Sequence, residues 1–268
     1  MRRTLALALV TSVALVACDQ AGEPQDMTEE AAAVRAVAES WDAIANAEDV
    51  EGMVGLFTAN PIRLNAGEPA LVGAEASRAD FAAAFASSNN EGYNPIDEVQ
   101  VVGSWAFVRG TFLDKTTSEE TGEVTEERGK WLSILHKTPE GWKFHVDAWN
   151  RDAPATSVDD TEVTARGELP PEVSSSGGDD AGVLALNEAW DDANNAEDVE
   201  ALIALYTDDA IRMSADQPVM QGTEALRMDF EQLFVAQQPD GAGVIRGLEV
   251  GEDWAYVWGT WTDHATPK

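Results

Sequence analysis

The sequence is poor in cysteine, histidine and positive charge. It holds one cysteine, three histidines and 17 lysine and arginine residues in 268 positions. A single cysteine, Cys18, excludes an intrachain disulfide. With 49 acidic residues the formal net charge is −32, and a field of this sign disfavours binding to nucleic acid and to anionic lipid surfaces. No calcium loop of the EF-hand type accompanies the acids, which leaves a solvated acidic surface or the binding of cations or basic partners.

Long apolar runs are scarce as well, and the one present lies at the N-terminus. Two arginines precede an apolar run from Leu5 to Ala17. This pattern predicts a signal peptide over residues 1–17, because the run is too short for a comfortable membrane span. Its last letters, LVAC, resemble the bacterial lipobox, which implies cleavage before Cys18 and lipid attachment to it. We therefore expect a bacterial cell-envelope protein, anchored on the periplasmic side of the inner or outer membrane, with residues 18–27 as a tether. An ordinary secretory signal is the alternative.

The chain contains an internal repeat. Eleven of twenty positions are identical between residues 39–58 and residues 188–207, at an offset of 149. The same offset pairs further residues without gaps, among them Trp105 with Trp254. Repeating units of solenoids reach only about 50 residues, so a period this long indicates two copies of one domain.

The repeat predicts the domain boundaries. The first copy covers residues 28–152 and the second covers 181–268, joined by a polar, proline- and glycine-rich linker over 153–180. By the offset, the second copy lacks the counterpart of about 33 residues that carry the last strands of the first. We therefore expect the second domain to be incomplete and the sequence to be truncated.

Hydrophobic periodicity predicts an α+β fold with helices first and strands after. Thr28 can cap a helix to about Asn46, and Asp49 caps a second, short helix, as Asp198 does in the second copy. The remaining predicted elements of the first copy are an extended stretch Ile62–Asn65, a helix Ala74–Ser87 introduced by Gly73, strands Ile96–Val102, Trp105–Lys115, Val124–His136 and Trp142–Trp149, and turns at Asn89–Gly92 and Pro139–Gly141.

The order of these elements and their motifs resembles one known family. The pattern W-x(7)-D-x(6)-L-F/Y-T runs from Trp41 in the first copy and from Trp190 in the second, and G-x(4)-R-x-D-F follows in the first. It is similar to the ketosteroid isomerase-like or SnoaL-like branch of the nuclear transport factor 2-like superfamily. The resemblance implies a cone-shaped, curved antiparallel sheet covered by helices, with a pocket, in two tandem copies. Members range from isomerases and cyclases to non-catalytic binders, so fold does not settle function.

The isomerase machinery is not retained at the positions that the resemblance assigns. Ketosteroid isomerase uses an aspartate base with a tyrosine and a protonated aspartic acid. The tyrosine position is Trp41 or Trp190, the base position is Asn65 or Ser214, and the third group falls near Trp131. None of these side chains supplies a carboxylate base or a phenol. Isomerase chemistry by that route is therefore disfavoured.

Other polar residues remain candidates. Arg63 and Arg212 share strand parity with Asn65 and Ser214, so an arginine at the pocket mouth could hold a carboxylate ligand, or form a rim salt bridge instead. His145, Asp147 and Trp149 alternate along one strand and should share a face. On the concave face, His145 and Asp147 would form an acid–base pair. A surface or packed structural pair is the alternative, and two ligands do not make a metal site.

The nine tryptophans favour an aromatic-rich interior. Trp41, Trp105, Trp131 and Trp149 line an apolar pocket or pack in the core.

Three functions fit these patterns, none with a cofactor. The first is a lipid-anchored protein whose tandem domains bind a small apolar or amphipathic molecule without chemistry. The second is an enzyme of isomerase, cyclase or dehydratase type that uses His145, Asp147 and Arg63. The third is a structural role, in which the copies pair within the chain as a pseudo-dimer or between chains as a homodimer.

Overall fold

The computed structural model describes residues 27–154, 168–171, 173, 180–251 and 254–268. The predicted signal peptide, Cys18 and most of the linker lie outside these residues. Within them, no helix is both long and apolar enough to cross a membrane. The elements of the first copy are α1 (Met27–Asn46), α2 (Val50–Gly55), β1 (Phe57–Leu64), β2 (Leu71–Val72), α3 (Ala74–Ser87), β3 (Ser88–Tyr93), β4 (Ile96–Val102), β5 (Trp105–Ser118), β6 (Val124–Thr138) and β7 (Gly141–Arg151).

The first copy folds around one curled, seven-stranded sheet. Its strand order is β2-β1-β7-β6-β5-β3, and β4 also pairs with β5. All pairs are antiparallel except β1 with β7. Strand β5 is long enough for β4 to pair with its first half and β3 with its second. The predicted α+β class and curved sheet are confirmed.

The core of the first copy lies between the sheet and the three helices. Val34 of α1, Met53 of α2 and Phe81 of α3 belong to one cluster of buried side chains with Val108 and Leu135 of the sheet. Burying an aliphatic or aromatic side chain of this size contributes about 1.5–3 kcal/mol. The short helix begins as predicted, because the Asp49 carboxylate accepts a hydrogen bond from Gly52 N at 2.9 Å.

One predicted turn is wrong. Residues Asn89–Gly92 lie in β3 and pair with Thr117–Asp114 of β5. Strand β5 continues to Ser118, beyond the predicted end at Lys115, and offers free backbone groups to the segment opposite. Backbone pairing rather than apolar alternation therefore makes β3 a strand.

The second copy repeats the order of the first. Asp198 caps its short helix through Ala201 N at 3.0 Å, as predicted. Its core is smaller and includes Leu202, Leu226 and Phe230. The elements are α4 (Asp180–Asn195), α5 (Val199–Ile203), β8 (Ile211–Arg212), β9 (Met220–Gln221), α6 (Thr223–Ala236), β10 (Gln237–Gln238), β11 (Gly241–Val250), β12 (Ala255–Asp263) and β13 (Thr266–Pro267).

Hydrogen bonds join the two copies. The Lys130 ammonium donates a hydrogen bond to the Gln217 carbonyl. Asn150 donates to the Met213 carbonyl at 3.0 Å. These contacts fix one end of the first sheet against the loop between β8 and β9.

Candidate functional site

A cavity of about 110 Å³ lies between α1 and the sheet of the first copy. Strands β5, β6 and β7 supply half of its lining residues, and α1 closes one side. A larger depression of about 370 Å³ lies over β1, β6 and β7, but it is a more open feature that contains His136 and His145. We take the cavity between α1 and the sheet, which is the less open of the two, as the candidate site. Its lining residues are Ala38, Trp41, Asp42, Ala45, Asn46, Gly92, Asn94, Phe112, Asp114, Trp131, Ser133, Phe144, Asp147 and Trp149.

Aromatic rings form the apolar walls of the cavity and are fixed in place. Trp41 meets Phe144 edge-on, with 5.6 Å between ring centroids, and Phe112 meets Trp149 in the same way at 5.6 Å. Trp131 lies over Gly110, where an added Cβ would stand only 2.9 Å from the indole. A glycine is therefore needed beneath this ring.

Two side chains of α1 hold the opposite rim. The Asp42 carboxylate accepts hydrogen bonds from Asn94, at 2.6 Å from the side-chain amide and at 3.1 Å from the backbone N–H. Asn46 exchanges two hydrogen bonds with the backbone of Gly92. The segment around β3 is thereby anchored to α1, and Asp42 is largely occupied by Asn94.

Asp114 is the carboxylate of the cavity that lacks such support. It lies on β5, and no residue that the structure describes donates a hydrogen bond to it. Burial raises the pKa of Asp114 to about 6, and the negative charges of Glu127 and Asp42 add to the rise.

Asp147 occupies the floor of the cavity and is buried. Its carboxylate accepts a hydrogen bond from the Ser133 hydroxyl at 2.7 Å and lies 3.9 Å from Arg63 Nε. Burial raises the pKa of Asp147, although Arg63 and the Ser133 hydrogen bond act against the rise. Arg63 itself donates to Asp80 at 2.8 Å, and its guanidinium lies 4.0 Å from the centre of the Phe81 ring.

The predicted pocket residues fall into two groups. Trp41, Trp131 and Trp149 line the cavity. Arg63 and Asn65 lie behind it, since Arg63 is buried against Asp80 and Asn65 accepts from the Trp149 indole at 3.2 Å. The expectation that Arg63 stands at a mouth or rim is therefore wrong.

Trp105 does not line the cavity. Its ring stacks on His136 with 4.2 Å between centroids and meets Tyr256 of the second copy at 5.2 Å. Its predicted place among the pocket tryptophans is a second correction.

The predicted pairing of His145 with Asp147 is wrong as well. A β-bulge interrupts the register of β6 and β7, because Ile134 pairs with Val146 while Leu135 pairs with Phe144. The extra residue breaks the two-residue alternation. Asp147 therefore lines the cavity, whereas His145 lies in the outer depression with its Nδ1 3.1 Å from the Thr58 hydroxyl.

Sequence reasoning missed Asp42, Asp114 and Ser133. The signal for Asp114 was present, because Ala106, Val108 and Phe112 alternate along β5 as buried residues and Asp114 continues that parity. No comparable local pattern marks Asp42 on α1.

The corresponding residues of the second copy make different contacts. Trp190 donates its indole N–H to the Tyr206 hydroxyl at 2.8 Å, whereas Phe57 holds the equivalent position beside Trp41. Arg212 pairs with Asp229, and Ser214 is half-buried after β8.

Asp114 gives a prediction on stability. Its folded pKa of about 6 lies above the ordinary aspartate value of 3.8, so the folded protein binds this proton more tightly between those values. Stability is therefore lost as the pH rises from about 4 to above 6, by about 2–3 kcal/mol. Asp114→Asn should be more stable than the parent protein by that amount at pH 8 and equal to it at pH 4.

Urea unfolding of both proteins across this range measures the difference. Glu126→Gln, which removes an exposed carboxylate from the neighbouring strand, controls for net charge. A constant difference between Asp114→Asn and the parent at all pH values would contradict the assignment.

Among the residues that the structure describes, no group of three or more histidine, cysteine, aspartate or glutamate side chains is placed to hold a metal ion.

The fold and cavity define an α+β pocket protein with a curled sheet. Residues 187–268 match the model of the SnoaL-like domain family. That fold family includes isomerases, dehydratases and binding proteins. A comparison with curated proteins gives no match.

Solved structures are similar to about half of the chain. One is a ketosteroid isomerase-like protein from Erwinia carotovora atroseptica, 26% identical, covering 47% of this chain and 98% of its own, with a TM-score of 0.45. Another is a conserved protein from Planctomyces limnophilus, 23% identical, covering 46% and 98%, with a TM-score of 0.43. A third is a nuclear transport factor 2-like protein from Novosphingobium aromaticivorans, 17% identical, covering 49% and 87%, with a TM-score of 0.41.

Proposed function

We propose that this protein is anchored to the cell envelope through Cys18 and binds a small molecule in the cavity of the first copy without converting it. The observation that carries the proposal is the partly enclosed cavity, with fixed aromatic walls and a few polar groups at its floor and rim. This combination is typical of ligand sites.

The size of the cavity limits the ligand. Its volume is about 110 Å³. An engineered cavity of about 150 Å³ in another protein holds one benzene ring. The part of the ligand that lies inside the cavity therefore has about the bulk of a single small ring.

The polar groups favour binding over turnover. Asn65 occupies the position of the isomerase base and is bonded to Trp149 and Asp80. His145 lies in the outer depression rather than in the cavity. A general base must lie within hydrogen-bond reach of the proton that it removes.

A second candidate function rests on Asp114. A carboxyl group with a pKa of about 6 exchanges protons near neutral pH, which suits a general acid or base. An isomerase or dehydratase would then act through Asp114, and Asp114→Asn would abolish its turnover.

Native mass spectrometry of the full-length protein, before and after organic extraction, tests the binding proposal. A co-purifying small molecule is expected before extraction. The variant Ala45→Phe, which places a ring in the cavity, should lose it, while Ala43→Phe on the exposed face of α1 should keep it. Equal loading of both variants would exclude this cavity. The mass of the N-terminal peptide reports separately whether Cys18 carries lipid.

A further inference from the structure

The cavity has few hydrogen-bond donors left for a ligand. Most of its polar N–H and O–H groups are engaged by protein acceptors. The engaged pairs are Trp131 with the Thr111 carbonyl, Trp149 with Asn65, Ser133 with Asp147, Asn94 with Asp42, and Asn46 with the Gly92 carbonyl. Among the described residues, none accepts a hydrogen bond from the Trp41 indole, so this N–H remains available.

The acceptors, by contrast, remain open. Asp114 receives no hydrogen bond from the residues that the structure describes, and one oxygen of Asp147 meets only the distant Arg63 Nε at 3.9 Å. No lysine, arginine or histidine lines the cavity. The guanidinium of Arg63 lies behind Asp147 and pairs with Asp80.

Aromatic faces and open carboxylates together recognise positive charge. The faces of tryptophan and phenylalanine attract a cation by about 0.5–2 kcal/mol, more when water is excluded. A neutral apolar ligand would remove water from the open carboxylate of Asp114 without replacing its hydrogen bonds, which is unfavourable. An anion would meet three carboxyl groups.

We propose that the ligand of the first-copy cavity is a small organic cation, with an ammonium group beside Asp114 and a hydrogen-bond acceptor for Trp41. This inference rests on the binding function proposed above and names the chemistry of its ligand.

The second copy supports a role for the Trp41 indole. There the equivalent N–H, on Trp190, is taken by the Tyr206 hydroxyl, and the first copy has Phe57 in that place. The first copy thus keeps free a donor that the second copy uses internally. A hydroxyl on the ligand would accept from it.

Two probes of matched shape test the inference. Choline carries a quaternary ammonium and a hydroxyl, and 3,3-dimethylbutan-1-ol replaces its nitrogen by carbon. In calorimetric titrations of the full-length protein at pH 7.5, choline should bind at least tenfold more tightly than the alcohol. Asp114→Asn should lose at least tenfold in affinity for choline and none for the alcohol, while Glu126→Gln should bind both as the parent does.

The pH dependence gives an independent readout. Asp114 faces Asp42 from α1, Glu127 from β6 and Asp147 from β7, and all of these favour its protonated form or compete for the cation. Affinity for choline should rise between pH 5 and pH 7 as Asp114 ionises, with proton release on binding near pH 6. In Asp114→Asn that rise should disappear.

The outcomes separate the two proposals. If the alcohol binds as tightly as choline, or more tightly, the cation assignment is overturned and the binding function stands. If neither probe binds and native mass spectrometry finds no co-purifying molecule, both proposals fail. If neither probe binds but an anionic or neutral molecule co-purifies, only the cation assignment fails.

Discussion

Replacement of Arg63 by methionine is expected to lower the free energy of unfolding by about 3–5 kcal/mol at neutral pH, the usual effect of removing one partner of a buried ion pair. Arg63 is 5% exposed and lies between two carboxylates, Asp80 and Asp147. Methionine keeps much of the apolar contact with Phe81 but supplies no charge. Both acids then face each other without the guanidinium between them.

The loss should depend on pH. Arg63 holds the pKa of Asp147 below the value that burial alone would give. Without it, the folded protein favours protonated Asp147 up to a higher pH, so the neutral form relieves part of the penalty in acid. Chemical unfolding should therefore show a smaller deficit at pH 5 than at pH 8.

The second copy supplies the matched control. Arg212 pairs with Asp229 and lies 4.4 Å from the centre of the Phe230 ring, as Arg63 does with Asp80 and Phe81. Its side chain is more exposed, and no second carboxylate approaches it among the described residues. Arg212→Met should therefore cost less than half as much as Arg63→Met. Equal losses would show that the Asp147 side of the network contributes nothing.

The helices could be predicted from the sequence because their signals are local. The periodicity of α3 gave its bounds, Ala74–Ser87, as the structure has them. Asp49 and Asp198 cap their helices by accepting a hydrogen bond from the backbone N–H three residues ahead, so the cap can be located from the sequence. Each of these features depends on contacts within a few residues.

The wrong predictions arise where the conformation or register of a strand is set by the strand that it pairs with. Strand β3 carries no apolar alternation and exists because β5 continues far enough to pair with it. The place of His145 depends on a bulge that only the register between β6 and β7 reveals. No local pattern at either position carries that information.

The candidate site could be predicted in part. Trp41, Trp131 and Trp149 follow from the fold resemblance, and the alternation of β5 could have added Asp114. The role of Asp42 depends on the way β3 folds back on α1, because its partner Asn94 is 52 residues away. The polar half of the cavity is therefore a product of tertiary packing.

Replacement of Lys130 by methionine is expected to lower the free energy of unfolding by about 3 kcal/mol, since each buried polar group left without a partner costs about 1–3 kcal/mol. Lys130 is fully buried on β6. Its ammonium donates to the Arg151 carbonyl at 2.5 Å and to the Gln217 carbonyl, and it lies 3.4 Å from Asp152. Methionine fills the space of the stem but satisfies none of these acceptors.

The effect should extend to the contact between the copies, because Gln217 belongs to the second copy while Arg151 and Asp152 belong to the first. Amide hydrogen exchange around residues 213–217 should accelerate in Lys130→Met, together with the shift in chemical unfolding. Lys137→Met is the control on the same strand, since Lys137 pairs with Glu30 at 2.6 Å and is half-exposed. A pair of that kind contributes about 1 kcal/mol or less. If both variants lose the same stability, or exchange at 213–217 is unchanged in Lys130→Met, the buried ammonium does not couple the two copies.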